Sequence, residues 1–307
     1  MTAMRAARSI EGGEIPSPRR AKPAGAPLPP LGRWASRLTR CARFAAAAVI
    51  AAGVGCTAGP VDIATLSPTS LAAGLVGHWT FDEGAGTQVR DTSGNERNGT
   101  IFGADWSWTI GRFGGALNLA GTDQITVGSG FGFPQATANY SVSAWVRVSP
   151  TATQPPIAAI VSTEIPWGTR PPGGWSLNLD LEPPVPGVSP SGNYHFTYWI
   201  GDPNDPFSME MAYVECTCFV PDVWTHLAAV VDASTKTLTL YVGGIPRQAV
   251  SVPRSIVPGE GTLYMARWPS APPRSLTGTL DDVAIYARAL VPEEVAQLSR
   301  APAPDPF

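Results

Sequence analysis

Charge is scarce in this chain of 307 residues: 15% of it is Asp, Glu, Lys or Arg, against about a quarter in ordinary soluble domains. Histidine, with three residues, and cysteine, with four, are scarcer still, which leaves little material for a zinc cluster or a disulfide-dense scaffold. The longest apolar run, Phe44–Val54, has eleven residues, well short of the ~20 that cross a bilayer as a helix. The little charge present is unevenly placed. Residues 1–55 hold nine Lys/Arg against Glu11 and Glu14, whereas residues 56–307 hold twelve Lys/Arg against twenty-two Asp/Glu, a net −10. That acidic body excludes a nucleic-acid partner, which requires a dense positive stripe. What the chain has in abundance is Gly and Pro, 32 of each. Such punctuation disfavours helical bundles and Rossmann-like folds, while 44% hydrophobic residues suffice for a core.

Residues 1–55 read as a basic leader and signal sequence. Arg33, Arg37, Arg40 and Arg43 precede the apolar run, and small residues follow it, the order of an export signal. The ending Gly53-Val54-Gly55-Cys56 resembles the lipobox of bacterial lipoproteins, with Gly53 where such signals usually carry Leu. The resemblance implies lipid on Cys56, a membrane anchor and a cell-envelope location; plain cleavage and secretion is the alternative. Residues 56–73 form a small-residue linker, residues 74–300 the folded domain and residues 301–307 a tail. Cys216 and Cys218 remain in the body, one residue apart. They either pair with each other, which an oxidising compartment permits, or serve as two small buried hydrophobes.

From Leu75 onward, short alternating runs are separated by Gly, Pro, Asn and Asp clusters, the pattern of an antiparallel sandwich. Val76–Phe81, Gly115–Leu119, Gln124–Val127, Tyr140–Val148, Ala158–Ser162, Trp175–Leu181, Tyr194–Ile200, Tyr213–Val220, Trp224–Val231, Thr237–Val242, Gly261–Ala266 and Thr279–Tyr286 are the expected strands. Pro292–Ser299 is the one helix, with Pro first and Glu293 and Glu294 in the first turn, where a helix N-terminus welcomes negative charge. The fold class is therefore all-β: a two-sheet antiparallel sandwich with one short C-terminal helix.

The order of motifs resembles the laminin G-like, concanavalin A-like lectin and glucanase family. It is carried by Gly74–Gly86, Asp91-Thr-Ser-Gly-Asn95 with Asn98-Gly-Thr100, Gly111–Leu117, Ser141–Val146, Trp224–Ala228, Leu238–Val242 and Leu276–Leu290. The resemblance implies a jelly roll, a role in carbohydrate binding, adhesion or spacing, and core positions for Trp79, Trp145 and Trp224. It also implies a structural Ca2+ where the first and last strands meet, with Asp82 and Asp281 as ligands. Alternation places Asp281 on the face of Val283 and Ile285, and a buried carboxylate there needs a metal or hydrogen bonds from the backbone N–H groups of a neighbouring turn. The family commonly has Asp where Ala120 and Gln124 stand here.

Catalysis finds little support in the residues. Glycoside hydrolysis needs two carboxylates converging on one bond, but Glu210 and Glu215 lie five residues apart on a strand and fall on opposite faces. Sugar binding would use aromatics in loop context: Trp106 and Trp108, spaced to share one outward ledge, together with Trp167 and Trp268. The expected function is thus an exported, non-catalytic binding module for a glycan or glycoconjugate. The alternative is an adhesive surface protein that docks another protein and binds no sugar.

Overall fold

The apolar alternation of the body is satisfied by two antiparallel sheets laid face to face. The computed structural model describes residues 71–131, 139–149, 157–164, 174–181, 194–202, 205–252, 261–267 and 275–302; the leader, Cys56, Trp167 and Trp268 lie outside the described residues. The first sheet runs β14 (Ile245–Ser251), β13 (Thr237–Val242), β12 (Thr225–Asp232), β7 (Tyr140–Val148), β16 (Thr277–Tyr286), β5 (Gly115–Ala120) and β4 (Ser107–Ile110), with β1 (Leu75–Trp79) also paired to β16. The second runs β11 (Asp205–Cys216), β10 (Tyr194–Asp202), β9 (Gly174–Asp180), β8 (Ile157–Glu164), β15 (Thr262–Met265), β6 (Gln124–Gly128), β3 (Gly99–Phe102) and β2 (Gln88–Val89). Among the described residues no helix is long and apolar enough to cross a membrane.

The inner faces form one core. Val142, Ala144, Val146 and Val148 of β7 and Leu117 and Leu119 of β5 meet Trp175, Leu177 and Leu179 of β9 and Leu263 and Met265 of β15. Tyr140, Trp175 and Phe196 pack as a run of rings, with centroids 5.3 and 5.8 Å apart. A second, smaller cluster covers the outer face of the first sheet. There α1 (Pro292–Leu298) lays Val295 and Leu298 on Ala228, Val230, Tyr241, Ala284 and Tyr286.

Helix α1 begins at Val291, which has no side-chain oxygen with which to cap it. Glu294 takes that role: one carboxylate oxygen accepts the Val291 N–H at 3.0 Å, and the two oxygens pair with Arg288 at 2.6 and 2.8 Å. Arg288 also donates through Nε to the Ala73 carbonyl at 2.6 Å. One ion pair therefore ties the last helix to the segment leading into β1.

Two expected boundaries shift. Tyr213–Val220 does not continue as a strand past Cys216, because Cys216 and Cys218 are bridged and the Cys218 N–H turns back onto the Cys216 carbonyl at 2.8 Å. Asp281 does not share the face of Val283 and Ile285. Strand β16 bulges between Asp281 and Ala284, with Asp282 at φ 47°, so alternation slips by one residue. Asp281 then stands opposite Trp145, whose ring lies outside the main core against Phe113 and His226.

At that position Asp281 is buried beneath the turn Gly111–Gly115, and its Oδ2 accepts the N–H groups of Arg112 at 2.7 Å and Phe113 at 3.0 Å. Its Oδ1 has no hydrogen-bond partner. Burial pushes its carboxyl up to about 7, with the neighbouring Asp282 and Asp82 charges adding to the rise against the two backbone donors.

Two outcomes are expected. Glu294→Ala should lower the unfolding free energy by about 2–3 kcal/mol, since it strands Arg288 and the Val291 N–H together; the midpoint of urea denaturation reads this. The raised Asp281 carboxyl contributes stability that is present below about pH 4 and is lost as pH rises through about 7. Asp281→Asn should therefore match the parent at pH 4 and melt several degrees higher at pH 8 in thermal scans.

Candidate functional site

Past the end of β1 the chain must turn off the sheet while keeping one more aromatic in the core. Phe81 does so at φ 58° with its ring fully buried, an uncommon backbone state for a bulky residue. Its neighbours Asp82 and Glu83 are thereby turned outward. Glu83 reaches across the loop, where one oxygen accepts the Arg90 N–H at 2.7 Å and the other has no hydrogen-bond partner.

The opposite wall is the Asp91–Asn98 turn. Asp91 accepts the N–H groups of His78 and Ser93 through one oxygen, each at 2.9 Å, and that of Arg97 through the other at 3.0 Å. Thr92 Oγ1 lies 2.8 Å from His78 Nδ1, and His78 Nε2 lies 2.6 Å from Asp282 Oδ1. Both ring nitrogens of His78 are therefore engaged, and the turn hangs from the buried bulge of β16. Between the two walls lies a cleft of about 610 Å³ lined by Thr80, Asp82, Glu83, Arg90, Asp91, Thr92, Gly94 and Glu96. Four carboxylates, one guanidinium and two hydroxyls suit hydrogen bonding to a hydroxyl-rich or amine-bearing ligand and disfavour anions.

The expected metal ligands do not form a cage. Asp82, exposed at the rim, accepts the Gly115 N–H at 2.5 Å, and Asp281 lies beneath the same turn, bound to its N–H groups. Among the described residues no three His, Cys, Asp or Glu side chains gather to hold a metal, whereas Ca2+ takes six to eight oxygens. Backbone N–H groups, not a metal cage, are what hold Asp281 Oδ2.

The expected tryptophan ledge is also different in form. Trp108, in edge strand β4, stands opposite Leu117, an inner-face residue. Trp106 and Trp108 are therefore directed toward the inner side and half-buried against the core, with rings edge to face at 6.2 Å and 83°. Trp108 Nε1 donates to the Gly86 carbonyl at 3.2 Å, so the pair closes the end of the sandwich beside the loop that carries the cleft. Glu83, Arg90 and Glu96 were not visible as site residues in the sequence, where nothing marks the Asp82–Glu96 loop as folding back on itself.

Of the other histidines, His226 is buried with Nε2 2.8 Å from Ser143 Oγ, and burial pushes it down to about 3. Trp224 is half-buried beneath the Arg147 guanidinium, 5.2 Å from its ring centre.

A family model described as the concanavalin A-like lectin/glucanases superfamily, in its laminin G form, matches residues 119–296. A comparison with curated protein sequences finds no match. Among solved structures, the fold is similar to domain 4 of AbnA, a GH43 extracellular arabinanase from Geobacillus stearothermophilus, in complex with arabinotriose. That likeness has a TM-score of 0.53 and 21% identity, and covers 74% of this chain and 98% of that domain. The binding domain of Paraclostridial mosquitocidal protein 1 gives 0.53 and 18%, over 75% of this chain and 52% of that one. The ligand-binding domain of botulinum neurotoxin serotype D, in complex with N-acetylneuraminic acid, gives 0.52 and 16%, over 76% and 52%. The chain spans about half the length of these toxin domains. The likeness to these structures is one of fold, and the match over 119–296 fixes the lineage: the chain belongs to the concanavalin A-like lectin/glucanases superfamily.

Proposed function

We propose that this protein is an exported, non-catalytic module that binds a neutral glycan in the cleft between Asp82 and Glu96. The observation that carries the reading is the lining of that cleft: hydroxyls, carboxylates and a guanidinium from one loop, held open against a buried hydrogen-bond chain. Sugars are recognised by such groups, each accepting from or donating to a ring hydroxyl. The similar folds solved with arabinotriose and N-acetylneuraminic acid support the ligand class. The excess of carboxylate over guanidinium favours a neutral sugar over an acidic one. The Trp106–Trp108 pair contributes by fixing the loop through Gly86, with only part of each ring left for contact.

Export rests on the basic leader, the apolar run and the Gly55-Cys56 end, with lipid on Cys56 as the anchor and residues 57–73 as spacer. The Cys216–Cys218 bridge suits an oxidising compartment. A protein partner in place of a sugar is favoured by one observation, edge strand β4 with Ile110 82% exposed, since an open strand edge is a ready pairing surface.

Calorimetry of the full-length chain with arabinotriose and with N-acetylneuraminate tests the reading. Binding of the neutral sugar is expected, and Arg90→Ala/Glu96→Ala, both exposed side chains, should weaken it about tenfold or more. Equal affinity in parent and variant would remove the cleft from consideration, and no heat with a broad glycan panel would favour the protein partner. EDTA is expected to leave both binding and melting temperature unchanged, because two carboxylates make a poor Ca2+ site; a drop in either would restore the metal.

A further inference from the structure

A disulfide that stabilises a fold gains most by closing a long loop, because the constraint on the unfolded chain grows with the residues enclosed. Cys216 and Cys218 enclose Thr217 alone, so their bridge contributes little to holding the sandwich together. Nor is the bridge sealed inside. Both cysteines are half-buried, resting on the core from its margin, while Thr217 and Val220 beside them are exposed. An accessible bridge with a small structural role is the kind that exchanges with outside thiols.

The chain on either side of the bridge is anchored without it. Before it, Cys216 pairs with Tyr194 of β10, and the Glu215 N–H donates to Gln248 Oε1 of β14, in the other sheet, at 2.6 Å. After it, the Phe219 ring meets Tyr194 edge to face at 5.7 Å, and the Asp222 N–H donates to the Val148 carbonyl of β7 at 2.8 Å. Opening the bridge therefore releases Cys218 and its N–H bond to the Cys216 carbonyl, and leaves these ties in place. The two sulfurs also differ in setting. Cys216 is the last residue of β11, fixed by strand pairing, whereas Cys218 lies past the strand end. Attack by a thiolate depends on access to one sulfur, and Cys218 offers the freer approach.

We propose that the Cys216–Cys218 bridge is a thiol-exchange site that oxidises an external dithiol. One thiolate of the dithiol attacks Cys218 Sγ. The new S–S bond forms as the Cys216–Cys218 bond breaks, and the Cys216 sulfur leaves as a thiolate that takes up the proton the dithiol released. The second thiolate of the dithiol then attacks its own sulfur in the mixed disulfide, and Cys218 leaves and is protonated in turn. The dithiol departs as a disulfide, having passed two electrons and two protons to the protein. A monothiol stops halfway, because Cys216, with its Cα 5.2 Å from that of Cys218, re-forms the bridge intramolecularly and expels it. The substrate class is thus dithiols, small or carried on a peptide. The site lies on the other sheet from β1 and β16, which anchor the cleft, and stands whether or not the cleft binds.

The test uses the full-length chain carrying Cys41→Ser and Cys56→Ser, so that only this pair reacts. The folded protein is incubated at neutral pH with dithiothreitol or with glutathione at equal thiol concentration, quenched with iodoacetamide and mapped by mass spectrometry. With dithiothreitol both cysteines should become alkylated while the circular dichroism stays that of the parent and the melting temperature falls by no more than about 6 °C. Glutathione should give about tenfold less of the reduced pair, or still less. Alkylation that requires urea, or a larger fall in melting temperature, would make the bridge a structural staple and overturn the site. Two free cysteines before any reductant is added would overturn it as well. The Cys216→Ser variant should form a mixed disulfide with oxidised glutathione about tenfold faster than Cys218→Ser; equal or reversed rates would remove Cys218 as the sulfur attacked. If either variant fails to fold, the contrast of dithiol with monothiol in the parent decides alone.

Discussion

Strand β16 has to serve two neighbours along one edge. Thr277–Leu280 pair with β5, and Val283–Tyr286 pair with β1, while β7 runs along the opposite edge throughout. The change of neighbour is made at the bulge of Asp281 and Asp282, and two adjacent carboxylates are buried there as a result. Each is held by a different element: Asp281 through Oδ2 by the backbone of the Gly111–Gly115 turn, Asp282 by His78 of β1. A break in the central strand would otherwise leave backbone and charge unpaired in the interior. Most of the loop architecture on this side of the sandwich follows from filling it.

The cleft is one consequence. His78 can reach Asp282 only because β1 joins β16 just past the bulge, and its second nitrogen then holds Thr92. Asp91 ties the same turn to the backbone of β1. The wall of the cleft is therefore fixed from below by a sheet, an arrangement that places exposed hydrogen-bonding groups on a rigid support. The outer face of the same sheet is closed by apolar packing of α1 and by the Arg288–Glu294 pair. The outer face of the second sheet at β9 and β10 carries buried hydroxyls, an amide, an imidazole and a carboxylate instead.

Legibility in the sequence followed the physical source of each signal. Strands with a full inner face, such as Tyr140–Val148 and Thr237–Val242, were readable because alternate apolar residues face one core. Strand β14, Ile-Pro-Arg-Gln-Ala-Val-Ser, was not: it is a half-exposed edge with Pro246 and no sustained alternation. The face of Asp281 was misread because period-two reasoning fails across a bulge. For Trp106 and Trp108, two-residue spacing says nothing about which side of the sheet they take, which depends on the pairing of Trp108 with Leu117. Glu83, Arg90 and Glu96 carry no local mark that they line one cleft.

The sequence by itself determined the all-β sandwich, the helix at Pro292 and the motif order, since these depend on local periodicity, turn chemistry and capping. Only the tertiary structure decided where the polar groups converge. The contact of His195 with Asn178 and the chain from Thr92 through His78 to Asp282 join residues of different elements, and the second spans about two hundred positions. Strand pairing sets such distances, and pairing is a property of the whole sheet rather than of any segment within it.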